Sequence, residues 1–150
     1  MKNYDIMQLL GHSHNEIESL MVNSKVTLQV SFLKVIDFKQ SMRGEQNQRL
    51  IEQMCTLKHP SIVPIRGVYV DAKNLYIVSD YIADSYQSLL NIEKVLSEAQ
   101  LSLVIEKILQ VLVYLHEKKI ILNNLHPNNV FVSNNNDGDI LITDVGLNQL

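Results

Sequence analysis

The chain has a single cysteine, no excess of basic residues and no long uninterrupted apolar run. A lone Cys55 excludes an internal disulfide, and with it the stapled framework of a small secreted domain. Thirteen Lys and Arg against sixteen Asp and Glu give a net charge of −3, which leaves no basic surplus for nucleic acid. The longest apolar segment is broken by Glu106-Lys107 and Gln110, short of the roughly 18 uninterrupted residues that a membrane helix needs, so no membrane span is expected. The polar start around Lys2 to Asp5 does not read as a signal peptide, and a cytoplasmic or nuclear setting is the expectation. No long internal repeat is visible. What is present is a 46% hydrophobic composition over 150 residues, enough for one sizeable core. Asparagines cluster at Asn123-Asn124, Asn128-Asn129 and Asn134 to Asn136. They sit between well-patterned segments and form no low-complexity domain.

The patterned segments come in a definite order. Lys25 to Phe38 alternates and is rich in Val, Leu, Ile and Phe, which predicts a strand pair with the preceding Ile17 to Val22. From Glu45 to Leu57 the apolar residues Leu50, Ile51, Met54 and Leu57 recur at helical spacing until Pro60 ends the pattern. Helical spacing also predicts that Cys55 is a buried small residue. Ile62 to Val70 and Leu75 to Ile82 are β-branched and aromatic runs around the turn Asp71 to Asn74, as in a hairpin. Ser97 with Gln100 forms a capping-box pattern ahead of Leu101 to Leu115. Apolar residues cover most of that helix's circumference, which predicts burial on several sides. Val130 to Val132 and Ile140 to Thr143 flank the turn-rich Ser133 to Asp139, giving a second, short hairpin.

This order, with several local motifs, resembles a eukaryotic protein kinase domain. Leu57-Lys58-His59-Pro60-Ser61-Ile62-Val63 is similar to the family's L-x-H-P-N-I-V, Leu75 to Tyr81 to its hinge strand, and Tyr114-Leu115-His116 to its Y-L-H. Leu122 to Asn129 resembles the catalytic loop H-R-D-L-x-x-x-N, and Asp144-Val145-Gly146 the D-F-G triplet. The implied fold is α+β and two-lobed. An antiparallel N-lobe sheet with one helix would occupy residues 1–82, ending at the hinge, and the first part of a helical C-lobe residues 83–150. The chain ends four residues after Gly146, without the segments that follow in the family. The long helix is therefore also expected to expose an apolar face and to associate with further sequence or a partner.

The resemblance implies a site whose frame is kept and whose chemistry is changed. Lys34 falls on the strand lysine that binds nucleotide phosphates, but Leu50 falls where its helix glutamate should be, and Glu45 and Glu52 lie off that face. Gly11 alone remains of the glycine-rich loop, with Ser13 and Glu16 hindering approach to phosphates. His12 and His14 are read as a polar turn. Asp80 and Ile82 take the hinge positions that border the nucleotide, and Ser79 the gatekeeper position. Phe32 replaces the usual alanine and Phe131 the usual leucine of the adenine pocket, where two rings would act as filler. Asn124 stands at the base position, Asn123 at that of the loop arginine and His126 at that of the loop lysine. Asn129 and Asp144 match the magnesium ligands, a weak pair without a nucleotide. Met54, Ile65, Leu122 and Val145 preserve an apolar column.

The expected function is that of a catalytically inactive pseudokinase with impaired ATP binding, acting as a regulatory or scaffolding module. Its partner would be a protein, an active kinase being one candidate, with no nucleic acid or membrane involved. No cofactor is expected on that reading. The alternative is a divergent ATP- and Mg²⁺-dependent Ser/Thr kinase using Lys34, Asn129 and Asp144. A third reading is a truncated gene product with no retained role, which failure of the chain to fold alone would support.

Overall fold

The computed structural model describes residues 3–12, 18–37, 45–82, 97–122, 125–132 and 140–146. The chain divides into two compact units, one formed by residues 1–56, 64–81 and 150, the other by 57–63 and 82–149.

The first unit is a five-stranded antiparallel sheet with one helix. Its strands are β1 (Tyr4–His12), β2 (Glu18–Ser24), β3 (Val30–Asp37), β4 (Ile65–Val70) and β5 (Asn74–Asp80), in the order β1-β2-β3-β5-β4. Helix α1 (Glu45–Thr56) packs against β4 and buries Ile51 and Met54. Register sorts the side chains by face, since successive residues of a strand point to opposite sides. Leu33 lies across from Leu20 and Val78, and this face carries a core of Leu20, Val22, Leu33, Val35 and Val78 with Tyr4 and Tyr76 packed on it. Phe32, Lys34 and Ile36 point to the other face, across from Ser79, Ile77 and Leu75.

The second unit is built on helix α2 (Glu98–Glu117) and the hairpin of β6 (Val130–Val132) with β7 (Ile140–Ile142). The capping box forms as its sequence predicts. Gln100 N donates to Ser97 Oγ at 3.2 Å and Ser97 N to Gln100 Oε1 at 2.9 Å. At the other end Lys119 takes the left-handed conformation (φ 60°), and Lys119 N and Ile120 N donate back to the carbonyls of His116 and Leu115. This is a Schellman-type stop, with buried Ile120 as its apolar latch. One side of α2 supplies Val104, Val111 and Leu115 to a core with Ile120, Val130 and Ile142. Segment Leu57–Val63 joins that core by edge pairing, with Ile142 N donating to Ser61 O at 2.9 Å and Val63 N to Ile142 O at 3.0 Å.

Three findings differ from the sequence expectations. The first strand, β1, had no clear sequence signal: Asp5 to Leu10 are exposed on both faces, and irregularities at Ile6/Gln8 and Leu9/Gly11 break its alternation. Cys55 is exposed, because the buried stripe of α1 runs through Ile51 and Met54 and Cys55 lies about 100° round from the latter. Helix α2 is buried on one side only. Leu101, Ile105, Leu109 and Val113, spaced by four, remain 47% to 61% exposed, the apolar face also expected above. By length and composition alone α2 would be able to cross a membrane, although interrupted by charges.

Candidate functional site

On the sheet, alternation places Phe32 and Lys34 side by side on one face, both half-buried. Ser79 lies directly across from Phe32, and Ser19 and Ile77 flank Lys34. The Phe32 ring leans on the ring of Tyr81, with centroids 4.9 Å apart and planes at 50°. This tilted packing lies at a separation where aromatic rings attract one another, and it gives the ring a packed neighbour. Tyr81 was not singled out by sequence reasoning; its position directly after β5 is the signal that would have found it.

Asp80 belongs to the other face, across from Ser31 in the row beyond Leu33 and Val78. Arg66, at the irregularity between Ile65 and Gly67, donates through Nε and Nη2 to its two carboxylate oxygens at 2.7 Å each. This fork-to-fork pair raises the arginine's pKa and engages the Asp80 carboxylate away from the Lys34 face.

On α1, Leu50 is half-buried, and the carboxylate of exposed Glu52 accepts a 3.4 Å hydrogen bond from Gln48 Nε2. The Cys55 thiol is pushed up in pKa, first by desolvation and then by Glu52, which favours its protonated form. Gly11 pairs with Ser19 near the end of β1, and Ser13, His14 and Glu16 lie outside the described residues. So do Asn123 and Asn124, the latter expected at the base position.

In the second unit, Leu122 is half-buried and packs on the core, and Val145 is buried in it. His126 caps the 3₁₀ turn Pro127–Asn129, accepting the Asn128 N–H on Nδ1 at 3.2 Å. Its ring thus has a structural use, and Pro127 supplies the preset φ that a first helical position favours. Asn129 N donates to His126 O at 2.8 Å, and Thr143 N donates to Asn129 O at 3.0 Å. The latter bond extends the β6–β7 ladder by one step beyond Val130 and Ile142. It holds the backbone of Asn129 beside the residue that precedes Asp144, so the hairpin brings the two candidate metal positions to one end. Asp144 itself has φ 63° and Gly146 φ 81°. The left-handed region is costly for most residues but more tolerable for Asp, whose short polar side chain bonds locally.

Phe131 is half-buried across from Leu141, and Ile82, also half-buried, begins the second unit. Met54 and Ile65 belong to the first unit, Leu122 and Val145 to the second. Among the described residues no three His, Cys, Asp or Glu side chains converge as a metal site. A carboxylate and an amide carbonyl are hard oxygen donors that suit Mg²⁺, which with so few protein ligands relies on water and phosphate oxygens.

Sequence reasoning quoted Tyr114 only within a motif and did not foresee its contacts. Its hydroxyl accepts the Lys58 N–H at 2.9 Å, its ring lies 5.1 Å from that of His59, and Lys118 Nζ sits 5.1 Å over it. His59 in turn accepts the Ser61 N–H on Nδ1 at 3.1 Å. Desolvation, then Lys107, lowers the His59 pKa, which keeps the ring neutral and able to accept.

Residues 15–150 match the family model of the protein kinase domain. Among curated proteins, the serine/threonine-protein kinase dst4 of Dictyostelium discoideum is 28% identical over 98% of this chain and 30% of its own length. Serine/threonine-protein kinase DCLK3 of Mus musculus is 28% identical over 97% of this chain and 19% of its own. A probable myosin light chain kinase of D. discoideum is 25% identical over 98% and 47%. The chain therefore spans less than half the length of each of these relatives. Among solved structures, the crystal structure of Rad53 1–466 in complex with AMP-PNP matches with a TM-score of 0.86 at 22% identity, over 97% of this chain and 39% of that one. That likeness is one of fold. With a family match over nearly its whole length and the five-stranded sheet, helices and hairpin in place, this chain belongs to the protein kinase domain family.

Proposed function

We propose that this chain is a pseudokinase module, a kinase fold that regulates or scaffolds a protein partner and does not turn over ATP. The observation that carries the reading is the Phe32–Tyr81 ring pair. It sets a bulky aromatic on the strand face shared with Lys34, where the family resemblance calls for alanine. Adenine would have to displace a ring already packed on another ring. Three features support the same reading. Asn124 has no basicity with which to accept a substrate proton, Leu50 replaces the acid that would orient Lys34, and the His126 ring is engaged as a cap. If Mg²⁺ and a nucleotide do bind, Asn129 and Asp144 are the residues that would hold the ion, and the ion would screen phosphate charge there.

The second reading, a divergent ATP-dependent Ser/Thr kinase, is favoured by one observation: the hairpin holds the retained Asn129 beside the Thr143-Asp144 corner. Titration of Mg-ATP into the chain, paired with a phosphotransfer assay on Ser/Thr peptides, separates the two. The pseudokinase reading expects no saturable binding at millimolar nucleotide, and transfer depressed by at least the roughly 10²–10⁴-fold that a positioned base supplies. Micromolar binding with measurable turnover would establish the enzyme.

A further inference from the structure

The core face of the sheet, opposite the Lys34 face, carries a hollow of about 170 Å³ lined by Tyr4, Tyr69, Tyr76, Asp71, Leu33 and Asn3, with Val70. One water needs only roughly 10–15 Å³ of such space, so there is room for a compact group of several heavy atoms. How the hollow is walled is unusual. Tyr4 belongs to one edge strand of the sheet and Tyr69 to the other, four strand spacings away, which in a flat sheet is about 19 Å. Their ring centroids are nevertheless 6.5 Å apart, with planes at 62°. The sheet curls enough that a ring from each edge strand meets the other beside Leu33, and the two rings close the hollow edge to face.

Each wall is set by its own local cause. Lys25 N donates to Asn3 O at 2.9 Å, and the Lys25 ammonium pairs with Asp5 at 2.9 Å, which fixes the end of β1 that carries Tyr4. Tyr69 folds back along its own strand over Gly67, where an added Cβ would meet its ring and hydroxyl at 3.1 Å. A side chain at that position would push the ring aside by a few tenths of an ångström. Tyr76, paired directly with Tyr69, donates its hydroxyl to Asp71 Oδ2 at 2.7 Å. Asp71 Oδ1 accepts the Lys73 and Asn74 N–H groups at 2.8 Å each.

Three tyrosines and one aspartate around a small hollow favour a cation, through the negative faces of the rings and the fixed charge. The kind of cation follows from Asp71. Its oxygens already accept three hydrogen bonds within the turn, which leaves about one of its roughly four lone-pair sites for a ligand, too few for the three N–H groups of a primary ammonium. A primary ammonium would give up water without gaining full partners, whereas a quaternary ammonium has no N–H groups to satisfy. We propose that this hollow is a binding site for a methylated ammonium group. Phe32 and Lys34 lie on the other face of the sheet, so the proposal stands whether or not nucleotide binds.

The test is an amide chemical-shift titration of the full chain with three probes. They are choline, its uncharged carbon isostere 3,3-dimethylbutan-1-ol, and a short peptide containing trimethyl-lysine. Saturable shifts centred on Tyr4, Tyr69 and Tyr76 are expected for a charged probe, with the isostere binding about tenfold more weakly. Binding of choline assigns the site to a small molecule, and binding of the peptide alone assigns it to a modified protein. Tyr69→Leu should weaken charged-probe binding several-fold, since it removes a wall, and Gly67→Ala, which only nudges the ring, should weaken it less. Tyr69→Phe keeps the ring and should bind nearly as well. Equal binding of the isostere, or no saturable shift with either charged probe, would overturn the proposal.

Discussion

On the sheet of the first unit, the position across from Ser79 carries a phenylalanine seated on Tyr81, and the hinge carboxylate is clamped by Arg66. Around the hairpin of the second unit, Leu122 and Val145, where the resemblance calls for His and Phe, stay in or against the core. Asn129 and the residue before Asp144 remain joined by a ladder bond. The two regions differ in what they keep. The hairpin keeps backbone geometry and packing, which folding requires whatever the chemistry. The sheet keeps its register but changes the side chains on the face shared with Lys34. Folding and ligand chemistry therefore draw on separable residues, and substitutions should divide along the same line.

The largest effect should come from the hairpin. Ile142→Ala empties a fully buried site whose backbone also binds Ser61 and Val63, and should cost about 2–5 kcal/mol in chemical denaturation. A loss under about 1 kcal/mol would mean that the hairpin is not what ties Leu57–Val63 to this unit. Next, Ser97→Ala removes the acceptor for Gln100 N and should cost about 1 kcal/mol. Lys119→Gly works in the opposite direction. It relieves a left-handed backbone at the end of α2 and should add up to about 1 kcal/mol. Arg66→Gln, on the sheet, should cost less than about 1 kcal/mol, and less still at high salt, because both partners of its ion pair are substantially exposed.

The smallest effect is a pH dependence. His59 has its pKa lowered from 6.5 in the folded state, so as pH falls below 6.5 the unfolded chain takes up a proton that the folded one resists. Stability should therefore decline from about pH 6.5 downward through the folded pKa, and be independent of this group above it. A His59→Asn variant should show a shallower decline in the same acid titration.

Much of the fold was legible because its signals are local. The capping box at Ser97, the stripe Ile51–Met54 and the turn Asp71–Asn74 each follow from a few neighbouring residues. Strand β1 was not, since a strand exposed on both faces and interrupted by register shifts loses the period-two pattern. Cys55 was misjudged by one helical position, a rotation large enough to carry a side chain from core to solvent. The candidate site was legible wherever one residue replaces another in a motif, as at Phe32, Asn129 and Asp144. The Tyr81 seat, the Arg66–Asp80 clamp, the His126 cap and the Tyr4–Tyr69 closure were not, because they depend on register, on ring orientation and on how far the sheet curls.

The comparison rests on Phe32 as a ring that excludes ligand without being needed for the fold. Its most direct test is the melting temperature of the chain and of Phe32→Ala, each with and without millimolar Mg-ATP. Ligand present at about 100 times its Kd adds roughly 2.7 kcal/mol to stability, a shift easily read in a protein of this size. The account predicts no shift for the unmodified chain and a clear one for Phe32→Ala; a shift of equal size in both would show that Phe32 leaves the nucleotide site open and would contradict it.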